Sequence, residues 1–112
     1  MRRSTVTTND PVGRMVRAWT TFDESLRNGS GFDEPAYDAL TAALRACATE
    51  WAELDAVPRL GANVLLDIFP ATAANAALYG GVDADRVMRA AYELHALAGH
   101  CVALRQEPGR PR

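Results

Sequence analysis

Apolar side chains recur three and four positions apart in four stretches of this 112-residue chain. Val12, Met15, Trp19, Phe22 and Leu26 form the first stripe, and Tyr37, Leu40, Leu44, Cys47, Trp51 and Leu54 the second. Leu60, Val64, Leu65 and Ile68 open the third, and Val87, Ala91, Leu94, Ala98 and Cys101 make the fourth. This spacing gathers side chains on one face of an α-helix. No stretch alternates with the period of a strand. The pattern therefore predicts an all-α chain, an antiparallel four-helix up-down bundle over residues 10–105, with disordered tails at 1–9 and 106–112.

Local chemistry marks the boundaries. Asp10-Pro11 predicts the first helix start, since Asp can accept free amide hydrogens and Pro fits the first helical position. Asn28-Gly29 ends that helix near Arg27. Asp33 caps the second, with Glu34 meeting the positive end of the helix dipole, and Val57-Pro58 stops it after about Ala56. The third starts near Arg59. Pro70 removes a backbone donor, which predicts a kink or a split there, with Ala71–Tyr79 as a continuation ended by Gly80-Gly81. Asp83 is the expected cap of the fourth, with Val82 and Val87 placed as a hydrophobic staple, and that helix is expected to reach about Arg105.

The third stretch differs from the others. Arg59, Asn63 and Asp67 share one narrow polar stripe, and Leu60, Val64, Leu65, Leu66, Ile68 and Phe69 cover nearly all the rest of the circumference. A surface helix ordinarily has an apolar arc only somewhat wider than about 100°. If Leu60, Val64 and Ile68 face the core, Leu66 and Phe69 are left near the surface. Hiding each large side chain contributes about 1.5–3 kcal/mol, so Leu66, Phe69 and Leu65 become candidate interface residues. A homodimer through helix 3 is the expected assembly, with an unidentified protein as a possible further partner.

Composition narrows the function classes. Arginine supplies every basic side chain, and isoleucine occurs once, at Ile68; this alanine-rich bias fits a GC-rich genome of the actinobacterial kind. The formal net charge is −2. Setting aside Arg2, Arg3, Arg110 and Arg112 in the tails leaves eight arginines against fourteen acids, a balance of −6. Such a body is poor at displacing counterions from a phosphate backbone, which argues against nucleic acid as a partner. No run reaches the roughly 20 apolar residues of a membrane span, and Met1–Asn9 has no apolar leader segment, so the expected compartment is the cytoplasm. There Cys47 and Cys101 read as buried free thiols.

Motifs of catalysis are missing. The spacing of His95, His100 and Cys101 does not place two metal ligands on one helical face. There is no nucleophile elbow, and the short Gly29-Ser30-Gly31 and Gly80-Gly81 segments do not make a phosphate loop. No cofactor or metal is expected. The leading expectation is a small non-enzymatic interaction or regulatory protein, with the enzymatic question leaning to no. The alternative is a ligand-binding or enzymatic bundle with a pocket between helices 3 and 4, lined by Asp67, Tyr79, Tyr92 and His95. A third reading comes from Arg89-Ala90-Ala91-Tyr92-Glu93-Leu94-His95. An arginine and a histidine separated by four to six residues in a helical bundle resembles the HEPN ribonuclease signature. The match covers Arg89 and His95, and Ala90 departs from the polar residue usual after the arginine; the resemblance implies RNA cleavage.

Overall fold

A computed structural model describes residues 10–104, and within them the chain forms four α-helices and no strand. These are α1 (Pro11–Arg27), α2 (Glu34–Trp51), α3 (Arg59–Ala76) and α4 (Gly81–Cys101). The expected tails at 1–9 and 106–112, and Arg105, lie outside the described residues.

The first two helices start as their caps dictate. The Gly13 N–H donates to Asp10 Oδ2 at 3.3 Å, and the Ala36 N–H donates to Asp33 Oδ1 at 3.0 Å. α2 stops at Trp51, five residues short of the expected Ala56. The reason is electrostatic and hydrophobic together. Glu50, Glu53 and Asp55 would crowd the negative end of the helix dipole, and residues 52–56 are exposed, so no packing offsets the cost. α4 departs from expectation at both ends. It begins at Gly81, with Gly80 in the cap position and Asp83 within the first turn, and makes no side-chain cap bond. Val82 is 80% exposed, so no staple to Val87 forms. The helix closes at Cys101, ahead of the exposed Val102, Ala103 and Leu104.

α3 is one helix through Pro70, so the split does not occur. Pro70 leaves the Leu66 carbonyl without its intrahelical donor. Both residues are exposed, so water can take that place, and Val64, Ile68, Thr72 and Ala76 remain buried along the opposite side. Burying such side chains offsets the roughly 3 kcal/mol that an interior proline costs.

The helices pack as two hairpins laid against each other. α1 touches α2 and α3, and α4 touches α2 and α3, whereas the backbones of α2 and α3, and of α1 and α4, stay apart. The link 52–58 therefore joins diagonal helices, unlike a simple up-down ring, in which successive helices are neighbours. Contacts between the hairpins keep chain order. On one side Asn75 donates to Asp23 across α1 and α3 at 2.9 Å. On the other, Glu34 pairs with Arg86, Tyr37 donates to Glu93, and the Cys101 thiol donates to the Leu44 carbonyl at 3.3 Å.

The shared core holds Met15, Phe22 and Leu26 of α1, Leu40, Leu44 and Cys47 of α2, Ile68 of α3, and Leu94 of α4, all fully buried. At one end Phe22, Phe32 and Tyr37 form an aromatic cluster with ring centroids 5.2–5.4 Å apart. The Arg86 guanidinium covers it, 4.0 Å from the Phe32 centroid. At the other end Gly61 admits the Trp51 indole so closely that a Cβ on Gly61 would sit 2.5 Å from the ring. That contact explains a correction to the third stripe: Gly61, not Leu60, faces inward, and Leu60 is 53% exposed.

Candidate functional site

The two hairpins treat their outer surfaces differently. Neither α1 nor α2 exposes a large hydrophobic side chain. Leu60, Leu66, Leu78, Val82 and Tyr92 are exposed along α3, its turn and α4, and Val102 and Leu104 follow at the end of α4. Leu54, on the link between the hairpins, is the remaining large exposed hydrophobic among the described residues.

The centre of this surface lies where α3 and α4 run in opposite directions. Phe69 meets Tyr92 at 5.4 Å and His95 at 5.2 Å between ring centroids. One turn away, Ala62, Leu65 and Leu66 of α3 face His95, Ala98, Gly99 and Val102 across an open groove of about 280 Å³. The small side chains at 98 and 99 make the groove; Leu66, 77% exposed, stands on its rim.

The structure thus gathers the three candidate interface residues in one region. Leu66 projects to solvent, while Leu65 and Phe69 are half-buried. The four pocket candidates do not converge. Tyr92 and His95 share the Phe69 ring, but Asp67 is exposed along with Arg59 and Asn63 of its polar stripe. Tyr79 has another task. Its hydroxyl donates to the Leu26 carbonyl at 2.9 Å and accepts from the Gly31 N–H at 3.2 Å, tying the α3–α4 turn to the end of α1. The Leu26 carbonyl, in the last turn of α1, accepts from the Gly29 N–H as well. Arg89 and His95 are both exposed on α4. They stand six residues apart, so their directions diverge by about 120° around the helix.

Several contributors to the surface and its support carried weak signals. Val102 falls at the fraying end of α4, and Ala98 and Gly99 read as ordinary small residues. Gly61 inside a helical pattern was a legible hint of close packing. The partnerships of Asn75 with Asp23 and of Tyr37 with Glu93 join residues more than fifty positions apart, beyond the reach of local periodicity.

The shifted titrations lie in the core. Burial, followed by the charge of Cys101, pushes the Cys47 thiol up to about 12. Burial pushes the Cys101 thiol up to about 11. Burial and the bond to Glu93 raise the Tyr37 hydroxyl as well. Thiols so held are protonated at neutral pH and are poor nucleophiles. Among the described residues, no three His, Cys, Asp or Glu side chains gather closely enough to hold a metal ion. No helix among them is long and apolar enough to cross a membrane. A second, larger trough of about 640 Å³ lies between α1 and α2, walled mainly by alanines with Arg14 and Arg17 at its edge. It is the close approach of two helices across small side chains; no aromatic group lines it, and its one acid, Asp33, is engaged in capping α2 through the Ala36 N–H.

Comparison with known protein families, with curated proteins and with solved structures finds no match to this chain.

Proposed function

We propose that this chain is a non-enzymatic helical interaction module that self-associates through the outer face of its α3–α4 hairpin. The observation that carries the reading is the asymmetry of exposed apolar side chains: seven on or beside that hairpin and none on α1 or α2. Exposed apolar side chains concentrated on one hairpin are what an interface leaves behind when its partner is absent. A second copy of the chain is the occupant that requires no other component, because a two-fold contact sets the same patch against itself. A standard interface hides about 800 Å² per partner. Leu66 and Tyr92 lie centrally enough to anchor it, with Leu78 and Val82 at one rim and Val102 at the other. Two free, buried thiols fit a reducing cytoplasmic setting.

The enzymatic alternative has less support. The groove beside His95 offers one imidazole and otherwise apolar walls, whereas ligand sites combine an apolar pocket with several convergent polar groups. The ribonuclease resemblance rests on Arg89 and His95, whose directions diverge.

The test is light scattering coupled to size exclusion over a range of protein concentrations. The expected result is a dimer that Leu66→Glu converts to a monomer with unchanged helical circular dichroism, since Leu66 contributes little to the core. A clean monomer at high micromolar concentration, unaltered by Leu66→Glu, refutes the proposal.

A further inference from the structure

The two cysteines of this chain lie on different hairpins, and both belong to the shared core. Cys47 is on α2 and Cys101 on α4, and both are buried. The Cys101 sulfur rests 3.3 Å from the Leu44 carbonyl oxygen. In an α-helix the carbonyl oxygen of one residue lies beside the side-chain root of the residue three positions on. For Leu44 that residue is Cys47. The Cys101 sulfur is therefore seated against the turn of α2 from which the Cys47 side chain springs, and the charge of Cys101 is felt at Cys47. Cys101 also borders a hollow of about 270 Å³ at the end of the bundle, walled by Trp51–Asp55, Val57 and Val102–Leu104. Cys101 thus borders a hollow that opens to solvent, and Cys47 is not among the residues that line it.

We propose that Cys47 and Cys101 form a latent disulfide, closed by a small hydroperoxide that enters through this hollow and staples α2 to α4. In the first step the Cys101 sulfur attacks one peroxide oxygen. The O–O bond breaks, a sulfenic acid forms, and the departing oxygen leaves as water or alcohol. In the second step the Cys47 sulfur attacks the Cys101 sulfur. The S–S bond forms, the S–O bond breaks, and the leaving hydroxide takes the Cys47 proton to give water. Two thiols lose two electrons and two protons in all, and the peroxide is reduced by the same two electrons. Only the thiolate attacks, so the reaction is slow at neutral pH and quickens as pH rises toward the thiol range.

The experiment treats the full chain with hydrogen peroxide at pH 8.5 and follows free thiols, intact mass and a non-reducing peptide map. Expected are concerted loss of both thiols, a mass lower by two hydrogens, a Cys47–Cys101 crosslinked peptide, native helical circular dichroism and full reversal by dithiothreitol. In Cys47→Ala, dimedone should trap Cys101 as its sulfenic acid. If that variant does not fold, Cys47→Ser provides the same readout. Independent loss of the thiols, crosslinks between chains, or reaction only after unfolding in urea would each overturn the proposal.

Discussion

Raising the pH should dismantle this fold from within, and the three buried acidic hydrogens of the α2–α4 junction set where. Below pH 9 both the folded and the unfolded chain keep the protons of Cys47 and Cys101, and stability is unaffected by them. Above the ordinary thiol value of 9.0 the unfolded chain releases these protons, while the folded chain retains them until about 11 for Cys101 and about 12 for Cys47. The unfolded state alone gains from deprotonation, so stability falls with rising pH across that window. Each thiol contributes a slope of about 1.4 kcal/mol per pH unit. Tyr37 adds a similar slope above 10, because its folded value is also raised. Between pH 9 and pH 11 the two thiols remove on the order of 5 kcal/mol and Tyr37 about 1 more. Small domains hold about 5–15 kcal/mol in total, so unfolding near pH 11 is the expected outcome. The assay is urea denaturation followed by circular dichroism at pH 7, 9, 10 and 11 with a reductant present. Midpoints should be level to pH 9 and then drop steeply. Cys47→Ala/Cys101→Ala, less stable at neutral pH from its two small cavities, should show a much shallower drop between 9 and 10. A flat profile to pH 11, or an equal slope in the double variant, would refute the reasoning.

Substitutions at two further positions probe the frame of the fold. Gly61→Ala gains up to about 1 kcal/mol of helix propensity but drives a methyl into the buried Trp51 indole, an overpacking that costs about 1–3 kcal/mol; a net loss of stability in thermal unfolding is expected, with a changed tryptophan fluorescence. Asp33→Ala removes the acceptor for the Ala36 N–H and should lower stability by about 1 kcal/mol, while Asp33→Asn, which keeps an acceptor, should restore most of it in the same denaturation assay.

Periodicity carried the helices themselves, because a stripe such as Val87, Ala91, Leu94, Ala98 and Cys101 is buried in full once the chain coils. It could not carry their arrangement. Which helix faces which depends on contacts such as Asn75 with Asp23 and Cys101 with Leu44, whose partners are 52 and 57 residues apart. Helix ends were legible where a side chain does the capping, at Asp10 and Asp33, and illegible where backbone glycine and lost packing decide, at Gly80 and after Trp51. At the candidate surface, Leu66 was legible because the α3 arc is too wide for one core. Tyr79 was not: its ring fits a pocket pattern, but its hydroxyl is committed to backbone groups of the last turn of α1 and of the α1–α2 connection.

The stacking of two hairpins in chain order has a consequence for synthesis. A nascent chain that has emerged only as far as Pro58 can close α1 on α2, yet Phe22, Leu40 and Leu44 then lack the helices that cover them. Hydrogen bonds and ion pairs between the hairpins join partners 48 to 57 residues apart, so the core is completed only when α4 has left the ribosome. The first half of the molecule must wait, half-closed and adhesive, for the second, and the lifetime of that intermediate is set by translation speed across residues 59–101.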